Sequence, residues 1–251
     1  MARAIRSALT AGCLAVLVPV ARAHGPWIGP GADNIMRPLT GLFNRNWNFS
    51  ATAKCRTDSP HSGEWLDWEM PVAARNGQLR AEFDPSAVKG EPPLSAEELQ
   101  RQRTMKIART VAILRPDLPT DLCLYPDFES YVETPRSAEE IQRSKARRTV
   151  KRRDLRQELI DNVPCVKRQF IASIDDEVTS AEFTIWEAVQ LPHFLYQVRF
   201  VTDDGIVTIR FRNVRFMPPD ANLFEPPAGA RRFDSTVELQ RAAGTLHPPA
   251  N

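Results

Sequence analysis

The stretch FLYQVRFVTDDGIVTIRFRNVRF, Phe194–Phe216, decides the fold class of this chain. Val198 and Phe200 alternate with Gln197 and Arg199. After Asp203-Asp204-Gly205, Val207, Ile209 and Phe211 alternate with Thr208, Arg210 and Arg212. A period of two places one set of side chains on each face of a strand, so both segments read as strands with one buried and one wet face. The short loop ending in glycine joins them as a hairpin.

The same pattern extends outward in both directions. Cys165–Ile174 and Ala181–Val189 read as the two preceding strands. Towards the N-terminus, Phe49, Ala51, Ala53 and Cys55 alternate with polar neighbours, as do Leu66, Trp68 and Met70. Leu79, Ala81 and Phe83 follow the turn dipeptide Asn76-Gly77. Ile107–Leu114 and Leu122–Val132 are two further strands.

Two helices are expected to interrupt the series. Ser95-Ala-Glu-Glu98 and Ser137-Ala-Glu-Glu140 each set a serine three residues before a glutamate, the reciprocal cap of a helix start. The second is expected to run through Lys151, with a break before Leu155–Ile160. Eight or nine strands with inserted helices give an α+β, mainly β class. The expected architecture is a strongly curved antiparallel sheet, a half-open barrel, with an inserted helical lid over its apolar concave face.

The first 23 residues bear on location. Arg3 and Arg6 precede an apolar run, Leu14–Val20, and Ala21-Arg22-Ala23 has the small-x-small form of a signal-peptidase site. Export of a cleaved chain beginning at His24 is the expectation. Residues 24–45, rich in Gly, Pro and Asn, read as a flexible lead-in, residues 46–234 as the domain and 235–251 as a C-terminal tail. Hydrophobic residues at 42% and charged residues at 25% describe an ordinary globular composition. Without the leader, 30 basic residues face 31 acidic ones, so no global field draws the chain to nucleic acid. Cys55, Cys123 and Cys165 form no CxxC pair, which argues against redox catalysis. They read as small buried hydrophobes or as one structural disulfide of open pairing.

Several phrases in order resemble the lipoprotein-carrier (LolA/LolB-like) superfamily, in particular a branch of exported domains of unknown function. They are Gly77-Gln-Leu-Arg80-Ala-Glu82, Ile113-Leu-Arg-Pro-Asp117, Leu124-Tyr125-Pro126, Tyr131-Val-Glu133 and Asn162-Val-Pro-Cys165-Val-Lys167, then Trp186, Leu191-Pro192 and Asn222-Leu-Phe224-Glu-Pro226-Pro-Ala-Gly229. The resemblance implies a half-barrel closed by helices around a cavity for acyl chains, in a Gram-negative periplasm. No motif maps onto an acyl-contacting arginine of the carrier proper.

The residues themselves nominate two features. Trp68, Phe83, Phe183, Phe200 and Phe211 fall on the apolar face, each stabilising by roughly 1.5–3 kcal/mol when buried. They either line a lipid cavity or fill an ordinary core. Between Arg143 and Arg156 the chain is dense in cations, among them Arg147, Arg148, Lys151, Arg152 and Arg153. This run reads as a solvated helix balanced by Glu139, Glu140, Asp154 and Glu158, or as a face for an anionic membrane surface. His24, His61, His193 and His247 are dispersed, and no nucleophile or metal motif occurs. Asp175-Asp176-Glu177 and Asp203-Asp204 read as turn chemistry rather than Ca²⁺ sites. The expectation is a non-enzymatic, cofactor-free monomer that binds a lipid acyl chain or lipoprotein. The rival is an envelope protein-interaction module with the same fold and a filled core.

Overall fold

The computed structural model describes residues 47–244 except 92, 139–140, 143–147, 175–179, 192–193 and 203–204, together with Leu39 and Leu42. Thirteen strands form one curved, unclosed sheet: β1 Phe49–Asp58, β2 Trp65–Arg75, β3 Gln78–Phe83, β4 Lys89–Glu91, β5 Thr110–Leu114, β6 Thr120–Tyr125, β7 Ser130–Pro135, β8 Arg148–Ile160, β9 Val163–Ile174, β10 Ser180–Ala188, β11 Leu195–Thr202, β12 Gly205–Arg215 and β13 Arg231–Phe233. Their order across the sheet is β13-β7-β6-β5-β3-β2-β1-β12-β11-β10-β9-β8, with β4 on β2. Every pairing is antiparallel except β13 on β7. The mainly β class and the half-open curved sheet match the sequence reading.

The alternations map onto burial. Phe49, Ala53 and Cys55 are buried in β1, Trp68, Met70 and Val72 in β2, and Leu79, Ala81 and Phe83 in β3. Asn76 and Gly77 both adopt positive φ between Arg75 and its partner Gln78, as a two-residue turn matched to strand twist requires. Gly205 opens β12 at φ +154°, where an added Cβ would come within 2.3 Å of the Asp58 carbonyl oxygen, so only glycine fits.

The structure corrects three expectations. First, the basic run does not form a helix through Lys151: from Arg148 to Ile160 it is β8, the edge strand. Ser137 does begin a helical turn, with Ile141 N–H donating to its carbonyl at 3.0 Å, but residues 143–147, including Arg147, lie outside the described residues, as do Glu139 and Glu140. Arginine, lysine, glutamate and leucine are good helix formers, yet pairing with β9 along its length overrides that preference. Second, Leu122–Val132 is two strands, because Pro126–Phe128 forms a 3-10 turn and Glu129 takes φ 45°. Third, no α-helix among the described residues contributes a side chain to the main core cluster. Helix α1, Ala96–Thr104, starts at its Ser95 cap as expected but buries no side chain. Leu39, in a 3-10 turn, and Val88 and Phe194, outside the regular elements, pack into the main core instead.

Helix α2, Thr236–Ala242, capped by Ser235, follows β13. Its Leu239 is fully buried with Tyr125, Val132 and Phe233, and closes over the short β13 edge. The leader, His24, His193, His247 and the acidic turns at 175–177 and 203–204 lie outside the described residues. No helix among the described residues is long and apolar enough to cross a membrane.

Candidate functional site

Directly paired residues share a face, so the register defines rows of side chains running across the sheet. One row on the concave face runs Phe170, Phe183, Phe200, Val207, Thr57, Leu66. The next runs Ile185, Val198, Ile209, Cys55, Trp68, and a third contains Phe211, Ala53 and Met70. Strand pairing thus aligns four of the five aromatic residues nominated from sequence, and Phe83, paired with Thr110, joins them by packing. Trp68, Phe83, Phe183, Phe200 and Phe211 are buried in a single cluster. The Phe183 and Phe200 centroids lie 5.8 Å apart, and Trp68 meets Phe83 edge-on at 6.3 Å. Phe211 is packed edge-on by Phe49 at 6.4 Å and by Phe194 at 6.0 Å. The Trp68 indole N–H, inside this cluster, finds no acceptor among the described residues.

The concave rows do not stay apolar to the edge. Phe170 pairs with Arg152 of β8, whose guanidinium lies 5.9 Å from the Phe170 ring centroid. Arg168, paired with both Ile185 and Asp154, donates from Nε to Asp154 Oδ1 at 2.8 Å and from Nη1 to Glu187. Arg152 adds contacts of 3.7 Å to Glu187 and 3.5 Å to Asp154. The Arg168 and Glu187 side chains are only 13% and 8% exposed. The bond from Arg168 holds the Asp154 carboxyl below its ordinary range. Sequence reading did not find this network, because its members are spread over three strands with no motif spacing.

The convex face carries a second construction. Trp186 Nε1 donates to Glu158 Oε2 at 2.7 Å, Arg156 and Lys167 donate to Glu158 Oε1, and the Lys167 ammonium sits 5.1 Å from the Trp186 ring centroid. Beside it, Asp161 in the β8–β9 turn accepts from Arg210 at 2.7 Å and from Arg212 at 2.8 Å. These bonds lower the Asp161 pKa, the Arg212 bond most. A cleft of about 530 Å³ opens here, bordered by Asp161, Val163, Leu191, Tyr196 and Arg212 among others. Of the five aromatic residues nominated from sequence, only Phe211 borders it.

The Glu158 contacts give the convex face a pH signature. Chiefly the Trp186 hydrogen bond, then that of Arg156, pushes the Glu158 pKa from 4.5 down to about 2. A depressed carboxyl pKa stabilises the folded state fully above the unfolded value, and that contribution is lost as pH falls through the folded one. Stability is therefore expected to fall between about pH 4.5 and about pH 2. Glu158→Gln should flatten this part of a urea-midpoint profile, and Trp186 fluorescence should stop titrating there. An unchanged profile would show that the carboxylate–indole bond contributes nothing.

Cys55, Cys123 and Cys165 form no disulfide with one another. Cys55 belongs to the concave cluster and Cys165 to the separate cluster with Trp186 and Ala188. Burial pushes both pKa values up, that of Cys165 to about 11, which makes them packing residues rather than nucleophiles. Among the described residues no group of three or more His, Cys, Asp and Glu side chains is arranged to hold a metal ion.

Fold and site together define a class: an open, curved, mainly antiparallel half-barrel with an aromatic concave face that ends in an ion-pair network. Solved structures similar to this chain include the Mycobacterium tuberculosis lipoprotein LppX, at 13% identity and TM-score 0.38, over 73% of this chain and 98% of that one. A LolA superfamily protein from Nitrosomonas europaea is similar at 10% identity and TM-score 0.32, over 78% and 97%. A DUF1329 family protein from Desulfovibrio piger is similar at 8% identity and TM-score 0.29, over 76% and 95%. No family model matches the sequence, and no curated protein matches it. At such identities and TM-scores, these likenesses carry no argument about ligand or activity.

Proposed function

We propose that this chain is an exported, non-enzymatic protein of the periplasm that encloses a lipid acyl chain or a lipidated segment against its concave face. The observation that carries the reading is the continuous apolar cluster from Trp68 through Phe211, Phe200 and Phe183 to Phe170, to which no described α-helix contributes a side chain. An acyl chain offers no hydrogen bonds and needs a surface of this kind. The unpaired Trp68 indole N–H gives a carbonyl oxygen of the ligand one fixed donor.

Native mass spectrometry of the protein purified from the periplasm tests this, together with uptake of a fluorescent fatty acid. Bound lipid and saturable uptake, weakened by Phe183→Ser with Phe200→Ser, are expected. A lipid-free protein that takes up no fatty acid overturns the proposal. A second reading, a protein-interaction module with a filled core, is favoured by one observation: the described cleft lies on the convex side, away from four of the five aromatic residues nominated from sequence. That reading is the one the negative result would leave.

A further inference from the structure

The two edges of the sheet are treated differently. At one end, β13 is three residues long and is closed over by Leu239 of α2. At the other, β8 runs for thirteen residues without proline or glycine, pairs among the described residues only with β9, and is exposed from Lys151 to Gln157. Long unpaired edges present a row of free N–H and C=O groups and are ordinarily shortened, covered or broken by proline. In β8 the only interruption is a bulge between Asp154 and Arg156.

Charge selects what this edge can accept. The strand carries Arg148, Lys151, Arg152, Arg153 and Arg156 against Asp154 and Glu158. Arg152 and Arg156 are engaged by carboxylates, whereas Lys151 and Arg153 make no ion pair among the described residues. Both stand on the convex face, paired with Ile171 and Gln169. A second copy of β8 would set cations against cations, and like charges directly opposite are unfavourable.

We propose that β8 is a docking edge for an extended acidic segment of another protein, which adds as a further strand of the sheet. Backbone hydrogen bonds along the edge supply affinity, and carboxylates at alternate positions meet Lys151 and Arg153. This role is separate from lipid enclosure, because it uses the edge and the convex face rather than the concave one.

The probe is a fluorescent peptide of about ten residues alternating glutamate and valine, long enough to span most of the strand. Titrated against the purified protein, it should bind saturably and slow amide exchange in β8. N-methylation of alternate peptide nitrogens, which leaves its charge intact, should weaken binding by roughly tenfold or more, because the added strand loses its ladder. Lys151→Glu with Arg153→Glu should weaken it by a similar factor, while a lysine–valine peptide should gain affinity for that variant. Three results would overturn the proposal: no saturable binding, equal binding of the N-methylated peptide, or a charge-reversed variant that fails to favour the lysine peptide. None of these readouts depends on fatty-acid uptake, so the two proposals stand or fall separately.

Discussion

Phe211→Ala is expected to lower the unfolding free energy by about 3–5 kcal/mol, the range for deleting a fully buried aromatic side chain. Phe211 is 0% exposed and packs edge-on against the rings of both Phe49 and Phe194, opposite Ala53 across the strand pair. The alanine opposite has no atoms to move into the space, so the void would persist. Urea denaturation with an unchanged slope would measure the loss. The companion variants Phe183→Ala and Phe200→Ala extend the test to function. If a hollow adjoins them, their cost reduces to the lost transfer energy, and an added fatty acid should recover much of it. A loss of less than about 1.5 kcal/mol at Phe211 itself would mean that the ring does not support a packed interior.

Glu187→Ala should be the most damaging single charge removal, by about 2–4 kcal/mol. Breaking a buried pair outright costs about 3–5 kcal/mol, because the remaining charge is left without compensation. Here Arg168 keeps Asp154 as an acceptor, and Arg152 is partly solvated, so part of that penalty is relieved. Removing both charges, as Arg168→Leu with Glu187→Leu, should recover most of the stability, since well-packed apolar replacements of buried pairs are often neutral. A double-mutant cycle from chemical denaturation checks this. Additive losses would show that the two side chains are not coupled, and that the ion pair does not organise the end of the concave face.

Much of the architecture was readable before any coordinates. The alternation in β1, β2, β3, β11 and β12 follows from one apolar and one more polar face, so most of their inward side chains could be assigned, although Gln197, read as facing water, is buried and Ala51 and Leu66 are only half-buried. The Asn76-Gly77 turn and the Ser95 cap were also visible, because each is a local bargain between a side chain and a few backbone groups. The five aromatic residues could be named from the face on which they fell. Their joint burial in one cluster depended on register between strands far apart in sequence.

Strand β8 was not legible, for a physical reason. An edge strand with both faces largely in water has no alternation to display, and its composition favours a helix. Its turn, Asp161-Asn162, lacks glycine, yet both residues adopt positive φ, at 48° and 64°. Asp and Asn are the L-residues that tolerate this region, and that was the one signal available. The Arg152–Asp154–Arg168–Glu187 network shares the difficulty, because ion pairs between separate strands leave no spacing in the chain.

The amino-acid order alone determined which side chains turn inward on most strands, where the tight turns fall and that the class is mainly β, since these depend on neighbours within a few positions. Tertiary structure alone decided the strand order, the charged end of the concave face, the exposed basic edge and the joining of the aromatic residues into one cluster. Those features arise from hydrogen-bonded register and packing between distant segments, and the energy that selects them is realised only once the sheet has assembled.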